Sequence, residues 1–123
     1  MAVGMLRTIV VDCLDPVPLA AFRSELLGVE IHHTEDDWIS LRSAGDGHPR
    51  IAFQRVPEGK IAKNRLHLDV WVPDIEAATE AAVALGAIRL GVLVGESPEP
   101  FQVMADPAGN EFCLVHLEGS VGP

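Results

Sequence analysis

The sequence predicts an α+β fold made of two βαβββ modules that curl an eight-stranded mixed sheet around a central cup, all within one domain, residues 1–123. Three observations predict it. A unit of about sixty residues occurs twice, which signals two copies of one module with a shared surface between them. In each copy an aspartate opens an apolar helical run that ends at Leu-Gly: Asp15-Pro16 to Leu27-Gly28, and Asp74-Ile75 to Leu85-Gly86. Apolar segments with the alternation of strands stand before and after each helix. The modules run over about residues 5–57 and about 64–117.

Each element has a local reason. Residues 6–13, with Ile9, Val10 and Val11 at the centre, form an apolar run of strand length. Asp15 then caps a helix whose first position is Pro16, where the missing proline N–H costs nothing. Leu19, Phe22, Leu26 and Leu27 supply its apolar stripe, and Gly28 ends it because a C′ residue needs positive φ. Strands follow at 29–33 and 38–42, joined by the acidic turn Glu35-Asp36-Asp37, and at 50–56 after the turn 43–49. Residues 57–64 read as the linker. The second copy repeats the order: a strand at 65–72, a helix from Asp74 to Leu85, and strands at 87–90, 101–105 and 111–116. A loop containing Gly and Pro, the turn 106–110 and a frayed tail at 119–123 complete it.

Period-two alternation sorts the faces. Ile9 and Val11 oppose Thr8, Val10 and Asp12; Leu66, Leu68, Val70 and Val72 oppose His67, Asp69 and Trp71; Phe112 and Leu114 oppose Glu111, Cys113 and Val115. The apolar sets suit packing under the helices. The mixed sets suit a ligand cavity.

Composition narrows the function. The chain has 123 residues, 18 acidic against 9 basic, for a net charge of −9. With no Lys/Arg cluster, nucleic-acid binding is not expected; the acidic balance favours either cationic ligands or simply solubility. No apolar run approaches the ~18 residues of a membrane span, and no leader is evident, so a cytoplasmic protein without membrane association is expected. Cys13 and Cys113 sit in apolar strand runs and are expected as buried thiols rather than a disulfide.

Four segments carry a family resemblance: 10–16 (VVDCLDP), 49–57 (PRIAFQRVP), 63–70 (KNRLHLDV) and 104–115 (MADPAGNEFCLV). Together with the repeat, they resemble the vicinal oxygen chelate superfamily of glyoxalase I, extradiol dioxygenases and bleomycin-resistance proteins, and especially its small glyoxalase-like domains. The resemblance implies a cup whose enzymes usually hold a divalent metal on His, Glu or Gln from the first, fourth, fifth and eighth strands. By position these sites fall on Thr8, on Gln54 or Ala52, on His67 and on Cys113. His67 matches the family's pattern; Thr8 and Cys113 stand where it wants His and Glu. Thr8, Gln54, His67 and Cys113 offer no carboxylate for a hard ion and a poor sphere for zinc, so no metal or other cofactor is expected. The resemblance also implies a homodimer.

The remaining residues keep two readings each. His67, with Asp69 on its face, is either an anchor for ligand or an acid–base catalyst. Trp38 and Trp71, with Arg42 beside the former and Phe101 in the second copy, form either an aromatic wall or ordinary packing. Glu111 contacts a cationic ligand or is a solvated strand end. Cys113 is a nucleophile only if its pKa is depressed. The expected function is binding of a small, partly apolar ligand in a metal-free cup. The alternative is a lyase, isomerase or dioxygenase-type enzyme, with a non-standard metal site or His67 acid–base chemistry.

Overall fold

The computed structural model describes residues 2–3, 5–94 and 100–116, and its contacts divide into two units, 1–59 and 60–123. The frayed tail at 119–123 and part of the loop before residue 101 lie outside the described residues. Unit one contains β1 (Thr8–Cys13), α1 (Pro16–Leu27), β2 (Ile31–Glu35), β3 (Trp38–Leu41) and β4 (Arg50–Arg55). Unit two contains β5 (Leu68–Trp71), α2 (Ile75–Ala84), β6 (Ile88–Val94), β7 (Phe101–Ala105) and β8 (Glu111–Val115). The two βαβββ modules of an α+β fold are thus present. Each unit has its own four-stranded mixed sheet, ordered β1-β4-β3-β2 and β5-β8-β7-β6.

In both units the first strand lies parallel to the last, and the other pairs are antiparallel. The helix supplies the crossover that lets first and last strands run the same way. The Asp15 carboxylate accepts from the Val17 N–H at 3.1 Å, and Asp74 does the same for Ala77 at 3.2 Å. Gly28 ends α1 with φ 67°, a left-handed conformation in which a side chain would be strained.

Each helix covers one face of its own sheet. Helix α1 packs on β3 and β4, burying Leu19, Ala20 and Phe22 against Ile39, Leu41 and Phe53; α2 packs on β6, β7 and β8, over Met104, Phe112 and Leu114. Arg23 is also buried on α1, while Leu26 and Leu27, expected in the stripe, are only half-buried.

Strand boundaries differ from expectation chiefly at β2, β5 and β6; β2 covers Ile31–Glu35 rather than 29–33, so Glu35 ends the strand instead of opening the acidic turn. Strand β5 starts at Leu68, not Arg65, because its partner β8 starts at Glu111 and the first ladder pair is Leu68 with Phe112. Leu66 consequently leaves the core face and is 71% exposed. Strand β6 runs on to Val94, past an irregularity between Leu90 and Val94 where Gly91 takes φ 68°. The buried Gln102 side chain donates to the carbonyls of Leu90 (3.2 Å) and Gly91 (3.3 Å) there, supplying a partner for backbone that the ladder abandons.

Candidate functional site

Register places the chemistry of unit two. On the face away from α2, Asp69 of β5 stands opposite Cys113 of β8, and Cys113 opposite Val103 of β7. The next row is Trp71, Val115 and Phe101. The alternate rows, Leu68–Phe112–Met104 and Val70–Leu114–Gln102, point under the helix.

A cleft of about 380 Å³ opens on this face, lined by Lys63, His67, Asp69, Phe101, Val103, Glu111, Cys113 and Val115. Its floor is apolar and its rim polar. His67 sits just before β5, with Nδ1 3.3 Å from an Asp69 carboxylate oxygen; both side chains are more than half solvent-accessible or nearly so, whereas Cys113 is buried. Burial, and secondarily the negative charge of Asp69, push the Cys113 thiol above its ordinary range. A neutral thiol is a poor nucleophile, so nothing favours covalent catalysis at this residue.

Glu111 is neither solvated nor free. Its Oε1 accepts from the Asn64 backbone N–H at 2.9 Å, while its own N–H donates to the Asn64 side-chain oxygen at 2.8 Å. The Asn64 side-chain nitrogen also donates to Asn110 at 3.3 Å, and Lys63 Nζ lies 3.7 Å from Glu111. The Asn64 hydrogen bond, followed by the charges of Lys63 and Lys60, holds the Glu111 carboxyl below its usual range despite its partial burial. This reciprocal clamp ties the segment leading to His67 onto the start of β8. Asn64 was not recognisable from sequence, since its partners are strand-end groups far along the chain.

The other predicted residues lie in unit one or off the cleft. Thr8 and Trp38 line a second cleft, of about 320 Å³, within unit one. Arg42 pairs with Glu30 at 3.5 Å, and Gln54, on β4, is exposed beside Trp38 and Asp12 in the ladder. Trp71 shares the row of Phe101 but not the cleft lining; its indole N–H is buried without an acceptor among the described residues. Strand register also resolves the choice between Ala52 and Gln54. Val10 precedes Asp15 by the same interval as Asp69 precedes Asp74, and Val10 pairs with Ala52 as Asp69 pairs with Cys113. Ala52 therefore holds in unit one the place of Cys113 in unit two.

Residues 8–115 match the family model of the glyoxalase-like domain. The chain belongs to the glyoxalase-like domain family. It thereby belongs to the vicinal oxygen chelate superfamily, and solved structures with this fold agree. A glyoxalase/bleomycin resistance protein/dioxygenase family enzyme from Burkholderia phytofirmans aligns with TM-score 0.78 and 16% identity, covering 92% of this chain and 98% of that one. A glyoxalase-related enzyme from Fulvimarina pelagi gives 0.75 and 17%, covering 98% and 96%. The bleomycin-binding protein of Streptomyces verticillus, complexed with copper(II)-bleomycin, gives 0.65 and 23%, covering 96% and 100%. At these identities the likeness is one of fold. No curated protein sequence is significantly similar to this chain.

Members of the superfamily commonly hold a divalent metal, so the donors of this glyoxalase-like domain bear on that chemistry. His67, Asp69 and Cys113 each place a ligand atom within 4.8 Å of the other two. Asp69 supplies the carboxylate that the sequence-derived set lacked. Nitrogen, oxygen and sulfur donors with one position left open fit Zn²⁺, and do not fit Mg²⁺, which wants an oxygen sphere.

Proposed function

We propose that this glyoxalase-like domain binds a small, partly apolar molecule in the cleft of unit two. The observation that carries the reading is the pairing of an apolar floor, Phe101, Val103 and Val115, with a polar rim from His67, Asp69 and Glu111, in a space of about 380 Å³. Ligand pockets combine these features at volumes of roughly 300–1,000 Å³. The Streptomyces verticillus relative, which binds copper(II)-bleomycin, supports the class of ligand but not its identity. This reading requires no metal. We further propose a cytoplasmic homodimer: two buried free thiols suit a reducing compartment, and sedimentation velocity decides the assembly.

Amide NMR with a panel of planar aromatic and cationic aromatic compounds tests the binding reading. A binder is expected to give saturable shifts at Phe101, Val103, Cys113 and Val115. Phe101→Ala is expected to weaken it about tenfold through lost ring contact, and His67→Ala only about two- to fivefold. Saturable shifts from no member of the panel would sink the reading.

A second reading, an enzyme with a non-standard metal site, is favoured by the His67–Asp69–Cys113 donor set. A zinc ion held there would act as a Lewis acid toward an oxygen of the bound molecule. His67 would orient the ligand, and the apolar floor would keep water from it. The expected result is one Zn²⁺ per chain after desalting, lost in Asp69→Asn and Cys113→Ser, with a thiolate-to-metal charge-transfer band on Co²⁺ substitution. Retention of zinc by Cys113→Ser, or no uptake by the unaltered chain, would remove this reading and leave the first intact.

A further inference from the structure

The second cleft, of about 320 Å³ and contained within unit one, differs chemically from the cleft of unit two. Arg7, Thr8, His32, His33, Trp38, Ser40 and Arg50 line it, and no aspartate or glutamate does so among the described residues. In a chain with 18 acidic and 9 basic residues, a lining that gathers two arginines and excludes every carboxylate runs against the bulk composition.

The ladder explains why the two arginines are neighbours in this cleft. Thr8 of β1 pairs in parallel with Arg50 of β4, and the Arg50 backbone N–H donates to the Arg7 carbonyl at 2.8 Å. Adjacent strand ends therefore bring both arginines to the lining of one cleft. Neighbouring charges are otherwise matched: Arg42 pairs with Glu30, Arg55 with Asp15 and Asp37, and Glu35 with His33. Arg7 and Arg50 have no carboxylate partner among the described residues. The charge of Arg50 reaches His32, which is held below its ordinary pKa first by desolvation and then by the charges of Arg50, Arg42 and His33. Ser40, opposite Ala52 in the β3–β4 ladder, is buried and belongs to the lining of the cleft.

We propose that this cleft binds the oxyanion of a small ligand, a carboxylate or a phosphate, held by the Arg7 and Arg50 guanidiniums with the Thr8 and Ser40 hydroxyls as further donors. Guanidinium forks match such oxygens in geometry as well as charge. The indole of Trp38 offers a flat wall for whatever the oxyanion is attached to.

Amide NMR titration of the full chain with sodium phosphate, and separately with sodium acetate, tests this at an ionic strength balanced with sodium chloride. The expected result is saturation in the millimolar range, about the affinity of a few charged hydrogen bonds, with shifts at Arg7, Thr8, Ser40 and Arg50 and none at Cys113 or Val115. Saturation by phosphate alone or by acetate alone assigns the anion class, and saturation by both assigns a general oxyanion site. Arg50→Gln is expected to weaken binding about tenfold or more, and Arg50→Lys to recover part of it. The exposed Arg7→Gln carries the same expectation should Arg50→Gln fail to fold. Linear shifts with both anions, equal shifts with chloride, or undiminished affinity in a folded arginine variant would overturn the proposal.

Discussion

Phe112→Ala is expected to lower the free energy of unfolding by about 3–5 kcal/mol, most of the stability of a domain at the lower end of the usual range. Phe112 is fully buried in β8. Its row contains Leu68 and the equally buried Met104, and α2 packs across that side of the sheet. Truncation removes the ring's transfer free energy and leaves a cavity, because the flanking strands are held by ladder bonds and cannot close in. Urea denaturation followed by circular dichroism is expected to show a large drop in midpoint with little change in slope. A loss below about 1 kcal/mol would mean that the inner face of β8 is not core.

Asp106→Ala is expected to cost about 2–4 kcal/mol, from two part-buried backbone N–H groups left without acceptors. One Asp106 carboxylate oxygen accepts from the N–H of Ala108 and of Asn110, each at 2.9 Å, and the side chain is 2% exposed. The turn it organises closes with Asp106 N–H to Asn110 carbonyl and Gly109 N–H to Asp106 carbonyl, both 2.8 Å, and sets Ala105 opposite Glu111. Asp106→Asn keeps the accepting oxygen and is expected to recover most of the loss. Denaturant midpoints of the two variants check this, and equal losses would show that the acceptor is not what matters. Binding in the unit-two cleft is expected to weaken in Asp106→Ala even where the protein still folds, since the turn positions Glu111 and, through Asn64, the approach to His67.

Local signals made much of this fold legible. Asp15 and Asp74 each stand just before an apolar helical run, where a carboxylate accepts from first-turn N–H groups, and Gly28 tolerates the left-handed end of α1, so the helices declare themselves within a few residues of chain. Alternation in 111–115 predicts that Phe112 and Leu114 are core and that Glu111, Cys113 and Val115 line the opposite face, and burial and lining agree. The family follows from the segments around His67 and Cys113, which lie within the matched residues 8–115.

Long-range pairings were not legible, because they depend on which residues become neighbours across a parallel ladder. Asp69 stands opposite Cys113 only through the β5–β8 register, so the sequence-derived donor set omitted the carboxylate that lies within 4.8 Å of the His67 and Cys113 donor atoms. Leu66 reads as core by parity but is exposed, since β8 offers no partner residue at that level. Arg23, polar by composition, is buried by the packing of α1 on its sheet. Sequence alone therefore determined the elements, their order, their buried faces and the family, all encoded in spacings that act over a few residues. Tertiary structure decided which side chains share a cleft: strand register and the Asn64–Glu111 clamp join residues far apart in the chain, and no short-range pattern carries those distances.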